Sequence, residues 1–223
     1  IDLQVNGGGG VLLNERPDLE GISTICAAHA RFGATGLLPT LITDNRTVTS
    51  ATIAAGLEAQ RAADPGFLGL HLEGPHLSRA RKGAHDPALI RPMEQADLDR
   101  TIEARNGLVA LLMTLAPENA TNDQIAALRA AGVTVSLGHS DCDYATAGLA
   151  VEAGASMMTH LFNAMSQLGN REPGMVGAAL DLGHLNAGLI ADGFHVHPAS
   201  IRTALTAKRG PGRIFLVTDA MST

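Results

Sequence analysis

The run GFLGLHLEGP, residues 66–75, decides the fold. Between Phe67 and Leu72 it is mostly apolar without strict alternation, the pattern of a strand covered on both faces. It ends on Glu73 followed by Gly-Pro, so a carboxylate stands where the strand gives way to a loop. Seven more stretches read the same way: IDLQVN at 1–6, TGLLPTLI at 35–42, LVALLMTLA at 108–116, VTVSLGH at 133–139, SMMTHLF at 156–162, AGLIAD at 187–192 and IFLVTD at 214–219. Between them lie Ala-rich stretches with helical spacing, Ile22 to Arg31, Thr47 to Arg61, Asn122 to Ala131, Tyr144 to Glu152 and Pro198 to Ala207, and a further helix near 97–104 ends the long third connection. Thr121 and Asp143 fit N-caps, and Gly132 and Gly154 fit helix stops. Strands alternating with helices force a parallel sheet with crossover helices, and eight such units predict an α/β fold, a TIM-like (β/α)₈ barrel.

Composition sets the outer bounds. With 223 residues, 45% of them hydrophobic and 17% charged, the chain is long enough for one domain with a large core. A net charge of −6, with no cluster of Lys and Arg, argues against nucleic acid or a membrane surface as partner. A small anionic ligand stays compatible, because a local pocket need not follow the global charge. Cys26 and Cys142 lie far apart and form no disulfide framework, which fits a reducing cytoplasm. No apolar run reaches the length of a membrane-spanning helix. The sequence begins abruptly in strand-like residues and stops just after the eighth strand candidate, with no helix following. The expectation is a barrel truncated after strand eight, a segment of a longer chain.

In a barrel of this kind the C-terminal strand ends converge on one face, so ligands from distant segments can meet one ion. Glu73, His139 and His160 each end a strand candidate, and His and carboxylate are the usual donors of a catalytic zinc site with three protein ligands. Each has a second reading: a strand-end His can be a hydrogen-bonded structural residue, and Glu73 can cap a turn. Asp219, at the end of strand eight, reads as a general base and acid or as the N-cap of a following helix. His85 lies in the long polar loop after strand three and reads as a donor to a developing oxyanion or as a solvated loop residue. Asn163, Arg171 and His195 could form an anion pocket, Arg171 with the geometry for bidentate phosphate contact. His71, His76 and His197 are not placed at the metal by anything in the sequence. The four glycines 7–10 invite a phosphate-loop reading, but no Gly-Lys-Ser/Thr follows.

Taken in order, DLQVNGGGG, LHLEGPHLS, KGAH, LGHSDCDY, THLFNAM, REPG, IADGFHVHP and LVTDAM resemble the N-acetylglucosamine-6-phosphate deacetylase family of the amidohydrolase superfamily. The resemblance runs across essentially the whole chain. It implies a barrel of the metal-dependent hydrolase type that removes acetate from N-acetyl-D-glucosamine 6-phosphate in amino-sugar metabolism. By matching motifs it makes Glu73, His139 and His160 the metal ligands, Asp219 the acid/base and His85 the polariser of the acetamide carbonyl. It also makes Asn163 with the Ala164 backbone, Arg171 and His195 the sugar-phosphate contacts, and it implies a homodimer in which the partner can complete the phosphate end of the site.

Two departures stand out. Many amidohydrolases carry His-x-His at the end of strand one, whereas this chain has Gln4-Val5-Asn6; amides are poor zinc donors, which favours one divalent ion, zinc, over two. The QxN pattern occurs in one branch of the deacetylase family. The second departure is that residues 1–223 correspond to the catalytic barrel alone, without the family's small β-sandwich built from both chain ends. A deacetylase of the galactosamine epimer or of another acylated amino sugar is the nearest alternative. A non-catalytic sugar-phosphate binding protein is the alternative from another class.

Overall fold

A computed structural model describes residues 1–222. Eight parallel strands run in sequence order around one sheet: β1 (Asp2–Val5), β2 (Leu37–Ile42), β3 (Leu70–Glu73), β4 (Leu111–Leu115), β5 (Thr134–Leu137), β6 (Met157–Met158), β7 (Asn186–Leu189) and β8 (Ile214–Leu216). The sheet comes round on itself through hydrogen bonds just beyond β8. The Asp219 N–H donates to Gln4 O at 2.9 Å and the Asn6 N–H to Ala220 O at 2.9 Å. The expected barrel therefore forms, with Asp219 at its seam.

Seven helices alternate with the strands: α1 (Leu19–Ala30), α2 (Arg46–Ala62), α3 (Gln95–Gly107), α4 (Asn122–Ala130), α5 (Tyr144–Ala153), α6 (Gly174–Asp181) and α7 (Pro198–Ala207). The capping expectations hold. Thr121 and Gln124 make a reciprocal capping box at the start of α4, the Asp143 carboxylate accepts from Thr146 N–H at α5, and Gly154 ends α5 at φ 124°. Helix α6 is missing from the helical stretches read in the sequence. Every residue from Gly174 to Leu180 is buried, so it has no polar face and leaves no 3.6-residue signature. The glycine run forms a hairpin, Gly7–Gly8 against Val11–Leu12, turning through Gly9 and Gly10 at φ 62° and 83°, values open to glycine at little cost. Gly7–Gly10 thus make a turn, and no phosphate loop.

The main core lies between the sheet and the helices, with Ile22, Leu37, Leu70, Leu111, Val135, Met158 and Leu189 pointing outward from the barrel or inward from the helices. A separate small cluster, Leu38, Leu112 and Met157 with Leu3 and Phe215, fills the lower interior. Two residues further along the same faces come Thr40, Thr114 and Thr159, because side chains of a strand repeat their direction every second residue. Here the interior turns polar. His71 spans Thr40 Oγ1 (3.3 Å) and Thr114 Oγ1 (2.7 Å), Thr159 bonds Thr114 at 2.6 Å, and Ser136 bonds Thr159 at 2.6 Å. The buried imidazole of His71 is pushed down to about 4 by loss of solvent, so it stays neutral. This linked layer is the floor of the barrel mouth.

The β1–β2 ladder carries an irregularity between Asp2 and Val5, opposite Pro39. Proline has no N–H to give the ladder. The Thr40 hydroxyl stands in as a partner, accepting the Val5 N–H at 2.9 Å and donating to Leu38 O at 3.0 Å. Thr40→Val keeps the shape but leaves the buried Val5 N–H without an acceptor; denaturant unfolding should show a loss of about 1–3 kcal/mol. An unchanged midpoint would mean that the hydroxyl does not complete the ladder.

Candidate active site

Glu73 closes β3, His139 lies two residues beyond β5, and His160 two beyond β6. All three are buried, and their ligand atoms lie within 4.8 Å of one another. Glu73 Oε1 stands 3.2 Å from His139 Nε2 and 3.1 Å from His160 Nε2, and the two imidazole nitrogens are 3.0 Å apart. Burial alone would raise Glu73, but hydrogen bonds and charge from His139 and His160 hold it well below the usual carboxylate range. Burial works against a charged His160, and the Glu73 carboxylate overcomes it and raises that imidazole. An ionised carboxylate facing two imidazole nitrogens demands a positive charge among them.

The donor set fits a divalent ion. His139 Nδ1 faces Arg81 O at 2.9 Å, and since a carbonyl only accepts, Nδ1 carries the hydrogen and Nε2 presents its lone pair. The ligand-to-ligand spacings of 3.0–3.2 Å are close to the edge of a tetrahedral zinc shell, about 3.3 Å for bonds of about 2.0–2.1 Å. Among the described residues His160 Nδ1 has no hydrogen-bond partner.

The strand-one amides hold the carboxylates. Gln4 Nε2 donates to Glu73 Oε1 at 3.0 Å, and Asn6 Nδ2 donates to Asp219 Oδ1 at 2.7 Å. Sequence reading noticed these amides only as poor ligands and missed this supporting role; the signal available was their i, i+2 spacing, which aims both into the barrel. Burial and the neighbouring Glu73 charge raise Asp219, against the Asn6 hydrogen bond and His160. A carboxyl poised upward in this way is suited to give and take a proton.

His85 is buried, so the solvated-loop reading does not hold. Its Nδ1 accepts the Thr43 N–H at 3.1 Å, which leaves the hydrogen on Nε2. That Nε2 points to the metal set, 3.8 Å from Glu73 Oε2. Burial pushes the imidazole down to about 4, so it is a neutral donor. Thr43, which fixes this tautomer, carried no signal in the sequence because its partner lies 42 residues away.

Asn6, Glu73, His85, His139, His160 and Asp219 line a cavity of about 440 Å³ together with Asn163, Ala164, His195 and Met221. Asn163 donates to the carbonyls of His160 and Leu161, and exposed His195 bonds Asp192 at 2.7 Å. Arg171 is exposed and outside this lining; among the described residues it makes no hydrogen bond or ion pair. His76 bonds Arg91 O behind the site, and His197 caps α7, so both are structural. The thiols of Cys26 and Cys142 are buried and pushed up to about 12 and about 11, outside the cavity and inert.

A parallel barrel with a carboxylate and two imidazoles converging at its mouth, beside a further carboxyl, has the architecture of a metal-dependent hydrolase. The chain belongs to the amidohydrolase family, whose model matches residues 1–214. It is 49% identical over 222 residues to the N-acetylgalactosamine-6-phosphate deacetylase of Shewanella sp. strain ANA-3, covering 100% of this chain and 56% of that protein. It is 38% identical to the N-acetylglucosamine-6-phosphate deacetylase of Bos taurus, covering 99% and 56%. The crystal structure of N-acetylglucosamine-6-phosphate deacetylase from Pasteurella multocida superposes with a TM-score of 0.93 at 36% identity, over 99% of this chain and 57% of that one. A mutant of the Mycobacterium smegmatis enzyme in complex with N-acetyl-D-glucosamine-6-phosphate does so with 0.92 at 34%, over 100% and 57%. The chain thus spans little more than half the length of these relatives.

Backbone strain collects at the site: His139, His160 and Asp219 take φ values of 48°, 26° and 52°. Gly83, at φ 55°, packs on His139, and a methyl group there would lie 3.0 Å from His139 Cε1. Gly83→Ala should cost more than about 1 kcal/mol in denaturant unfolding and shift the His139 ring resonances in NMR. Unmoved resonances would show that the loop does not press on His139.

Proposed function

We propose that the protein hydrolyses the acetamide of an N-acetylhexosamine 6-phosphate, N-acetyl-D-glucosamine 6-phosphate in the first instance, giving the free amine and acetate. The observation that carries this reading is the meeting of Glu73, His139, His160, His85 and Asp219 in one cavity. We take Glu73, His139 and His160 as ligands of one divalent ion, zinc, in a catalytic barrel domain over residues 1–223. An ion held there supplies Lewis acidity, polarising the carbonyl and lowering the pKa of a water toward neutrality.

The chain's own groups then divide the work. Asp219 takes a proton from the attacking water and returns it to the departing amine, so the reaction consumes one water and leaves the residue as it began. Asn6 holds Oδ1 of that carboxylate and leaves Oδ2 for the transfer. His85 donates through Nε2–H to the carbonyl oxygen as charge builds on it. Asn163 and the Ala164 backbone contact the sugar, and His195 at the rim receives the phosphate. Binding of that remote group positions the acetamide. Arg171 is assigned to the phosphate as well; from outside the lining it reaches a ligand by movement of its loop or by serving the cavity of a second copy in a homodimer. Two free thiols fit a cytoplasmic setting.

The galactosamine epimer is a second reading, supported by the 49% identity to a deacetylase of that sugar against 38% for the bovine glucosamine enzyme. Acetate release from both 6-phosphates tests the proposal. Release from neither, with metal bound, would overturn it in favour of a binding protein, and a preference for the galactosamine form would select the second reading. Asp219→Asn should lower turnover by at least about 100-fold with metal content kept; near-normal turnover would remove Asp219 from the mechanism. Metal analysis should find one ion per chain, lost in His139→Ala or His160→Ala and kept in Gln4→Ala. Two ions per chain, with full activity only at two, would show that β1 supplies a second site.

A further inference from the structure

His139 is wrapped by the loop that follows β3. The Ser78 N–H donates to His139 O at 2.8 Å, Arg81 O accepts from Nδ1 at 2.9 Å, and the His85 ring meets the His139 ring edge-on at a centroid distance of 4.4 Å. What keeps this loop in place is a contact between side chains outside the cavity. Arg81 Nε and Nη2 both lie 2.7 Å from Asp141 Oδ1, two residues beyond His139. Asp141 is itself anchored, its N–H donating to Glu118 Oε1 at 2.7 Å while Ser140 Oγ donates to Glu118 Oε2 at 2.7 Å. One residue therefore acts twice: the Arg81 carbonyl sets the tautomer of His139, and the Arg81 guanidinium ties that carbonyl to the turn that carries His139.

We propose that Arg81 and Asp141 are positioning residues for the metal site, an ion pair that fastens the β3 loop onto the β5 turn so that the Arg81 carbonyl keeps His139 Nε2 aimed at the ion. The inference rests on the reading of His139 as a ligand. Magnitudes separate the role from plain stabilisation. Both side chains are substantially exposed, 36% and 47%, and a surface ion pair contributes little to folding. Loss of a group that orients a ligating histidine costs metal affinity by about 10–100-fold. A positioning pair should therefore weaken metal binding far more than it lowers stability.

The experiment measures zinc affinity of the purified protein by competition with a chelator, thermal unfolding of the metal-free form, and the His139 tautomer in the metal-free form by ¹⁵N NMR. Arg81→Met and Asp141→Asn should each weaken zinc by about tenfold, leave the metal-free midpoint nearly unchanged, and reduce the Nδ1–H tautomer of His139. The exchange of both residues, Arg81→Asp with Asp141→Arg, should recover much of the affinity. Unchanged affinity in both single variants, or a fall matched by an equal loss of metal-free stability, would overturn the proposal. His139→Ala is the control for the reading beneath it. If that variant binds zinc as well as the parent protein, His139 is not a ligand; if it loses zinc while the Arg81 and Asp141 variants do not, only the positioning role fails.

Discussion

One oxygen organises the mouth of this barrel. Glu73 Oε1 faces Gln4 Nε2 at 3.0 Å, His160 Nε2 at 3.1 Å and His139 Nε2 at 3.2 Å, and these partners come from the ends of β1, β6 and β5. A buried carboxylate without partners would be strongly disfavoured, so the interior tolerates it only if all of these strand ends arrive together. That requirement links the chemistry to the closure of the sheet. The same hydrogen bond that seals the barrel, Asp219 N–H to Gln4 O at 2.9 Å, sets the acid/base candidate beside the metal set.

The surroundings are arranged to make that meeting rigid. Below it, His71 and four hydroxyl side chains form a linked polar layer in which each member satisfies the next. Satisfied networks of this kind hold a single geometry, whereas a gap in them would be costly. Beside it, the β3 loop holds the His139 ring, with Arg81 O on Nδ1 at 2.9 Å and the His85 ring edge-on at a centroid distance of 4.4 Å. The left-handed backbone at His139, His160 and Asp219 costs about 1–3 kcal/mol at each position, and the large core between sheet and helices offsets it. Strain of this kind, held by packing all around, aims side chains in directions that ordinary strand ends do not offer.

The two residues of the QxN pattern show how a substitution at a ligand position changes the role of a strand end. Imidazoles at these places would offer lone pairs to an ion. Amides offer N–H donors, and they are used on two carboxylates of the cavity, Glu73 and Asp219. An amide pair at these places gives hydrogen bonds to carboxylates where an imidazole pair would offer lone pairs.

Sequence by itself determined the eight strands, six of the seven helices, and the residues at the strand ends, because each of these leaves a local mark: an apolar run, a 3.6-residue spacing, a cap, or a polar residue where a strand stops. Helix α6 escaped because a helix buried on every side has no periodicity to read. Tertiary structure decided the rest. Only the closed barrel brings Glu73 to His139 and His160, 66 and 87 residues away, turns His85 inward onto Thr43, leaves Arg171 outside the cavity lining, and sets Arg81 against Asp141. These are distances through space between segments far apart in the chain, set by how the strands pack and twist, and no local pattern of residues encodes them.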